Sequence, residues 1–360
     1  MINLYDTWFI EHYGQKFYTI KDALDSLQDK FKDSYLNFYD ESFSKYDWSI
    51  EPHESFEDLK KIRAQQIREK YSYVRIFASY ASDSGTVINS FLKNKLEINE
   101  IVNYVSKWEN NLTALEQEHH TLFVPNIKKY LMDTRSTKIT LKEITFKDVY
   151  ELLRTENKNM SGVVPSRFDI SNLSTNLSGK GSFIDVYGEC KPLIGIAKGI
   201  FFFKFNLAYV HDMIARPETI NFFTTPEFPK LHIKQCHMLK NNIKKYWPSL
   251  VQDSFDRVIY IGESGKFPDG SSMESFIELS CRDFTDLNLA VPKLSSNHVV
   301  RFGFTDKEKE RVMGFYKNNQ NLLTDYLDYV KSYYTSNLFF KNNNKLEKVF
   351  LNSKYYSLGS

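Results

Sequence analysis

The segment FASYASDSGT, residues 77–86, places small hydroxyl and carboxylate side chains between two apolar runs. Serine hydroxyls and backbone N–H groups at the start of a helix can bind phosphate oxygens, and the helix dipole favours that negative charge. The other interpretation is that serine and aspartate only cap the helix. The residues predicted to bind a pyrophosphate group are Ser79, Ser82, Asp83, Ser84, Gly85 and Thr86, with Asp83 also predicted to hold Mg²⁺.

A second candidate group lies in YGECKP, where Glu189 and Lys191 follow a loop-like run rich in Gly, Ser, Asn and Pro at 158–192. Together with Asp169 they form a D…E-x-K pattern of the kind found in metal-dependent nucleases, whose carboxylates hold Mg²⁺. Pro192 disfavours a long central strand at this point. An ordinary ion pair in a loop is the competing interpretation.

Two further groups of basic side chains could bind an anion. Lys180 lies in GKGS, which reads either as a flexible lid facing phosphate or as a simple turn. Lys234, His237 and Lys240 follow one another at intervals of three on a predicted helix, so the first pair shares a face. They either reach an anionic substrate or form a solvated basic face.

The elements around the first loop form a βαβ unit. Ser55 with Asp58 three positions later predicts the start of a helix, and apolar residues then follow at helical spacing. A strand is predicted over 72–78, a helix over about 84–94 and a second strand over 98–105. A βαβ unit of this length implies parallel strands. Further along the chain, we predict a strand followed by a helix over residues 199–213 and a helix over residues 229–247.

Bulk composition narrows the class of protein. The chain has 360 residues, 42% of them hydrophobic, with 29 Phe and 23 Tyr, so it can bury a large core. A net charge of +2 argues against a strongly basic nucleic-acid binder. Three widely spaced cysteines favour a reducing compartment. With no signal peptide and no apolar run long enough to span a bilayer, we expect a soluble cytoplasmic protein without a membrane partner.

Several segments of the chain resemble segments of a group of bacteriophage proteins related to asparagine synthetase, and they follow one another in the same order as in those proteins. The group belongs to the PP-loop ATP pyrophosphatase superfamily. The resemblance covers about residues 35–245. The segments that carry it are the run from FSKYDWSIEPH to KNKLEINEI, which includes FASYASDSGT, and then ITLKEITFKDVYELL, VYGECKPLI and EFPKLHIKQCHMLK. The loop of that superfamily reads S-G-G-x-D-S, to which Ser79, Asp83 and Ser84 correspond.

This resemblance implies a Rossmann-like sheet that binds ATP and Mg²⁺ and cleaves ATP between its α- and β-phosphates. It also implies that a carboxylate or amide oxygen is activated as its adenylate, with Glu189 and Lys191 near the nucleotide as catalytic residues. Tyr80 and Ala81 stand where the superfamily has glycines, which accept positive φ and let the backbone approach phosphate closely. No cysteine precedes Cys190, so we expect no glutaminase of the kind that uses an N-terminal cysteine, and any amidation is expected to use free ammonia, another amine or a partner protein.

The sequence therefore predicts an α/β protein with a PP-loop-type, Rossmann-like parallel sheet. The predicted regions are an aromatic segment over 1–54, the nucleotide-binding domain over 55–245 and a mainly helical region over 246–360. The predicted function is that of an ATP-dependent adenylating ligase of the amidotransferase type, for an unidentified small-molecule, nucleotide or protein substrate. A degenerate fold used for binding or structure, and a Mg²⁺-dependent nuclease, are the alternatives. A host cytoplasm is expected if the chain is encoded by a phage.

Overall fold

The computed structural model describes residues 8–18, 20–27, 30, 33–78, 82–106, 124, 127, 137–144, 182–188, 192, 194–205, 219–246, 248, 259–261, 339–342, 345–348 and 353–360. The helices are α1 Ile20–Leu27, α2 Asp40–Phe43, α3 Phe56–Lys70, α4 Ser82–Leu92 and α5 Pro229–Tyr246. The strands are β1 Trp8–His12, β2 Gln15–Phe17, β3 Tyr35–Phe38, β4 Tyr73–Phe77, β5 Glu100–Ser106, β6 Lys138–Ile144, β7 Phe183–Tyr187, β8 Ile194–Ala197, β9 Ile200–Phe203, β10 Thr219–Asn221, β11 Ile259–Ile261, β12 Phe339–Asn342, β13 Lys345–Lys348 and β14 Tyr356–Gly359.

Helix α3 confirms the predicted capping signal. The Ser55 hydroxyl accepts a hydrogen bond from the backbone N–H of Asp58 at 3.1 Å, which satisfies one of the amide groups left without a partner at a helix start. Acidic residues lie in the first turn, and Arg68 and Lys70 lie in the last, which complements the helix dipole. The helix then buries Leu59 and Ile67 against the rest of the domain.

The central sheet has five parallel strands in the order β10-β7-β4-β5-β6. From β4 the chain passes through α4 to β5 on one side, and it later returns to the other side of β4 as β7. The strand order therefore reverses between β4 and β7, as it does in Rossmann-like sheets. The predicted α/β class and parallel βαβ unit are confirmed. Helix α4 begins two residues earlier than predicted, because Ser82 and Asp83 belong to its first turn.

A second sheet has the antiparallel order β11-β8-β9-β14. Lys198 and Gly199 connect β8 to β9 with φ of 50° and 73°, the positive values that a two-residue hairpin turn of type I′ requires. The sheet unites strands from both sides of residue 245. After that residue the described elements are β11, β12, β13 and β14, and most of the region predicted to be mainly helical, 246–360, lies outside the described residues. In β14 buried and more exposed residues alternate, the period of a strand.

An aromatic core joins the N-terminal segment, the second sheet and α5. The Trp48 ring stacks on Phe203 with centroids 5.4 Å apart, and on Tyr356 with centroids 4.4 Å apart. Phe43 and Phe205 are fully buried beside them. Asp40 ties the same regions together, because it accepts hydrogen bonds from the hydroxyls of Tyr35 and Tyr356.

Candidate functional site

The carboxyl end of β4 is held firmly against β5. The backbone N–H of Ala78 donates to the carbonyl oxygen of Val102 at 2.9 Å, and the Asn103 side chain donates to the carbonyl oxygen of Ala78 at 2.7 Å. Both polar backbone groups of Ala78 are therefore bound by the neighbouring strand. The chain leaves the sheet from a fixed point just before the predicted phosphate loop.

The first turn of α4 lies directly against the end of β7. A Cβ atom added to Gly188 would stand 2.6 Å from Cγ2 of Val87 and 3.0 Å from the carbonyl oxygen of Asp83. Real Cβ contacts are longer, so this approach between strand and helix requires glycine. In dinucleotide-binding folds a glycine serves the same purpose, close packing of helix on strand.

The predicted phosphate-binding residues fall in three groups. Ser82, Asp83 and Ser84 occupy the first turn of α4, at the carboxyl edge of the central strand, and Asp83 and Ser84 are partly exposed. Gly85 and Thr86 are buried, and Thr86 is only 1% exposed, which does not favour direct contact with a ligand. The predicted residues Ser79, Lys180, Glu189 and Lys191, together with Tyr80, Ala81 and Asp169, lie outside the described residues.

A buried ion pair beneath this edge was not predicted from the sequence. Arg75 of β4 and Asp185 of β7 make two parallel hydrogen bonds of 2.7 Å each, Nε to Oδ1 and Nη2 to Oδ2. The two side chains are 1% and 3% exposed. Burial opposes the charge of Arg75, but its hydrogen bonds with Asp185 raise the pKa of the guanidinium overall. The signal available in the sequence was that each of these two apolar strands contains one charged residue, which could have indicated a buried pair.

An aromatic pair separates that ion pair from the carboxyl edge. The rings of Phe77 and Tyr187, the last residues of β4 and β7, stack with centroids 4.7 Å apart and planes 8° apart. Val102 completes the cluster. The Arg75 guanidinium lies 5.0 Å from the centroid of the Phe77 ring, which is within the range of a cation–π contact. Along β4 the charged group therefore comes first, the aromatic ring second and the end of the strand last. The two rings thus form an apolar layer between the ion pair and the ends of the two strands.

The row of buried charged groups that Arg75 and Asp185 begin continues on the neighbouring strand β5 with Glu100. It accepts hydrogen bonds from the hydroxyls of Tyr73, at 2.9 Å, and Thr140, and Lys138 lies 3.1 Å away. Burial alone would raise the pKa of Glu100, but these hydrogen bonds lower it overall. Burial and the Glu100 carboxylate raise the pKa of Tyr73 to about 12. In this row of four side chains the charges of Arg75 and Lys138 balance those of Asp185 and Glu100, which suits a structural role beneath the site.

The basic group predicted on α5 lies away from this edge and is engaged internally. Lys234 donates to Glu51 at 2.6 Å, His237 contacts the carbonyl oxygen of Trp48 at 2.8 Å, and Lys240 donates to the carbonyl oxygen of Leu358 at 2.6 Å. These side chains hold the N-terminal segment and β14 on the helix. They are neither a free anion site nor a solvated face.

Within the described part of the chain, no group of three or more His, Cys, Asp or Glu side chains is placed to hold a metal ion. The predicted role of Asp83 as a Mg²⁺ ligand stays a prediction. None of the described helices is long and apolar enough to cross a membrane.

Comparison of this chain with protein-family models, with curated proteins and with solved structures finds no match. The class of the protein therefore follows from the strand order itself. The five parallel strands and their helices define an α/β domain with a Rossmann-like layout. Sheets of this layout bind ligands in the crevice outside the carboxyl ends of the strands at the point where the strand order reverses, which here lies between β4 and β7.

The close approach at Gly188 gives a first prediction. Gly188→Ala is expected to lower the free energy of unfolding by about 1–3 kcal/mol, because the added methyl group forces Val87 and the start of α4 away from β7. Urea unfolding of the purified variant measures the change.

Gly195→Ala is the matched control, because its Cβ would meet the Phe202 ring at 2.3 Å in the second sheet. Both variants should lose stability, but only Gly188→Ala should loosen the packing of α4 on the end of β7. Equal stability of Gly188→Ala and the parent protein would show that α4 does not pack as described.

Proposed function

We propose that the crevice between the ends of β4 and β7 binds the phosphates of a nucleotide, with ATP as the expected ligand. The observation that carries this proposal is the position of α4, which begins where the order of the parallel strands reverses. Ligands of open α/β sheets bind at such switch points, and helix N-termini there attract phosphate.

Residues of the first turn supply the chemistry of phosphate binding. Ser82, Asp83 and Ser84 stand at the positive end of the α4 dipole. In the proposed complex the two serines and Ser79 donate to phosphate oxygens, and Asp83 holds the Mg²⁺ that accompanies ATP. The partial exposure of Asp83 and Ser84 supports this assignment.

The finer proposal is an adenylating ligase. A carboxylate or amide oxygen of the substrate attacks the α-phosphorus of ATP, the bond to the β-phosphate breaks, and pyrophosphate leaves. An amine then displaces AMP. Lys191, Glu189 and Lys180 are proposed to stabilise the developing negative charge and to orient the reacting groups. Gly188 immediately precedes Glu189 and abuts α4, which supports a position of Glu189 near the phosphates.

A degenerate nucleotide fold used as a scaffold is the second candidate. Tyr80 and Ala81 favour it, since they replace the two glycines that would let a phosphate approach the backbone. The buried, charge-balanced row beneath the site would serve such a scaffold equally well, because its role is to hold the strands together.

Calorimetry with ATP and Mg²⁺, followed by an assay for AMP and pyrophosphate, tests the proposal. We expect the double variant Tyr80→Gly/Ala81→Gly to bind ATP about tenfold more tightly than the parent protein, a change of about 1.4 kcal/mol. Without ligand it should be slightly less stable, because glycine makes the unfolded chain more flexible.

Three outcomes separate the candidates. Binding that is strengthened by the glycines and weakened by Gly188→Ala, but not by Gly195→Ala, supports a nucleotide site at this crevice. Tight binding that the glycines weaken would make Tyr80 part of the site. If neither protein binds ATP, the nucleotide proposal fails and the scaffold is favoured.

A further inference from the structure

A cavity of about 210 Å³ lies beside the outer strand β10, away from the crevice between β4 and β7. The C-terminal half of α3 forms one wall and Ile220 forms another. Ile220 pairs in register with Val186, so its side chain lies on the opposite face of the sheet from Asp185 and Tyr187. None of the described residues that line the cavity belongs to β4, β7 or α4, so the cavity is separate from the proposed nucleotide site.

Arg63 lines this cavity and is 2% exposed. Its Nε donates to the carbonyl oxygen of Phe222 at 3.3 Å, and its Nη1 stands 3.7 Å from Oε2 of Glu227, beyond hydrogen-bond distance. Its Nη2 is buried and has no hydrogen-bond partner among the described residues. A buried guanidinium is costly unless its donors are satisfied, so this nitrogen is suited to a further acceptor.

The charges around the cavity favour an anion. Lys70 is about half exposed and stands 2.5 Å from Oε1 of Glu227, so two cations share one carboxylate. Burial lowers the pKa of Arg63 to about 10, and Glu227 only partly offsets it, so the guanidinium stays charged at neutral pH. Arg63, Lys70 and Glu227 together leave a net charge of +1 at the cavity. The wall of the cavity is also partly apolar, because Ile67 and Ile220 line it.

We propose that this cavity binds a small oxyanion, either a carboxylate or a phosphate group, through Arg63 and Lys70. Arg63 donates from Nη2, and the half-exposed Lys70 turns from Glu227 toward the ligand. Both classes of anion accept charge-assisted hydrogen bonds from a guanidinium. Glu227 competes with the ligand for the same two cations, which gives the site a distinctive response to mutation.

Titration calorimetry with inorganic phosphate, and separately with acetate, tests the proposal and shows which anion is preferred. Arg63→Met should weaken binding of the preferred anion at least about tenfold, because a charge-assisted hydrogen bond is lost. Lys70→Met should weaken it less. Glu227→Gln should strengthen it, since the competing charge is removed while the shape is kept.

Lys230→Met is the matched control, because Lys230 makes a comparable 2.6 Å ion pair with Glu54 elsewhere. It should leave anion affinity unchanged. Unchanged affinity in Arg63→Met, or weaker binding in Glu227→Gln, overturns the proposal. If Arg63→Met does not fold, the opposite changes expected in Lys70→Met and Glu227→Gln still decide the question. Phosphate held instead at α4 would respond to none of these variants, which would equally overturn it.

Discussion

Asp185→Asn is expected to lower the free energy of unfolding by about 3–5 kcal/mol, since it removes the carboxylate that holds the buried guanidinium of Arg75 by two hydrogen bonds. Both hydrogen bonds of the pair cross between β4 and β7, the two strands that define the candidate site. Chemical unfolding followed by tryptophan fluorescence measures the loss. The effect should exceed that of removing one partner of any exposed pair, because water cannot replace the missing carboxylate.

The double variant Arg75→Met/Asp185→Leu should recover most of this loss, because replacing both buried charges by apolar groups of similar volume is often neutral or stabilising. Lys45→Met provides a control at the exposed pair Lys45–Glu41 and should change stability very little. If Arg75→Met and Asp185→Leu lower stability additively in the double variant, the two side chains do not form the coupled pair described above.

His232→Phe should reduce the sensitivity of the protein to acid. His232 is fully buried between aromatic rings, with Phe203 at 4.6 Å and Trp48 at 6.0 Å between centroids. Burial lowers the pKa of this imidazole from 6.5 to about 3. Between these values the unfolded chain binds one proton more than the folded chain at this residue. The contribution of His232 to stability is therefore present above pH 6.5, and it decreases by about 1.4 kcal/mol per unit as the pH falls toward 3.

Urea unfolding at a series of pH values between 7 and 4 tests this expectation, and the stacked Trp48 provides the fluorescence signal. His232→Phe also removes the contact with the Thr224 hydroxyl at 2.9 Å, a loss that should not depend on pH. His53→Gln is the control, because the His53 side chain is 90% exposed. Parallel stability curves for His232→Phe and the parent protein would show that another group causes the acid sensitivity.

Local signals in the sequence predicted the βαβ unit because its determinants lie close together in the chain. The Ser55 cap, the apolar run that becomes β4 and the small residues before α4 each act over a few positions. The parallel arrangement followed from the length of the connection. The order of the five strands depends on β7 returning beside β4 and on β10 pairing with β7, which no local pattern specifies.

The buried ion pair beneath the strand ends could not be predicted for the same reason. Arg75 and Asp185 are 110 residues apart, and either charge alone is compatible with an exposed strand face. Gly188 likewise reads as an ordinary loop glycine until α4 is placed against it. The first turn of α4 was recognised as a possible phosphate site because its serines and aspartate are consecutive. Strand β14 was not predicted because it is short and pairs with the distant β9.

The bond between Tyr356 and Asp40 has a consequence for synthesis of the chain in the cell. The two residues are 316 positions apart. At about 5–20 residues per second, a ribosome needs roughly 15–60 s to extend the nascent chain over that distance. During this interval Phe43 and Trp48 have emerged but lack the strand that completes their aromatic core. The aromatic core of the N-terminal segment therefore stays incomplete until translation is nearly finished.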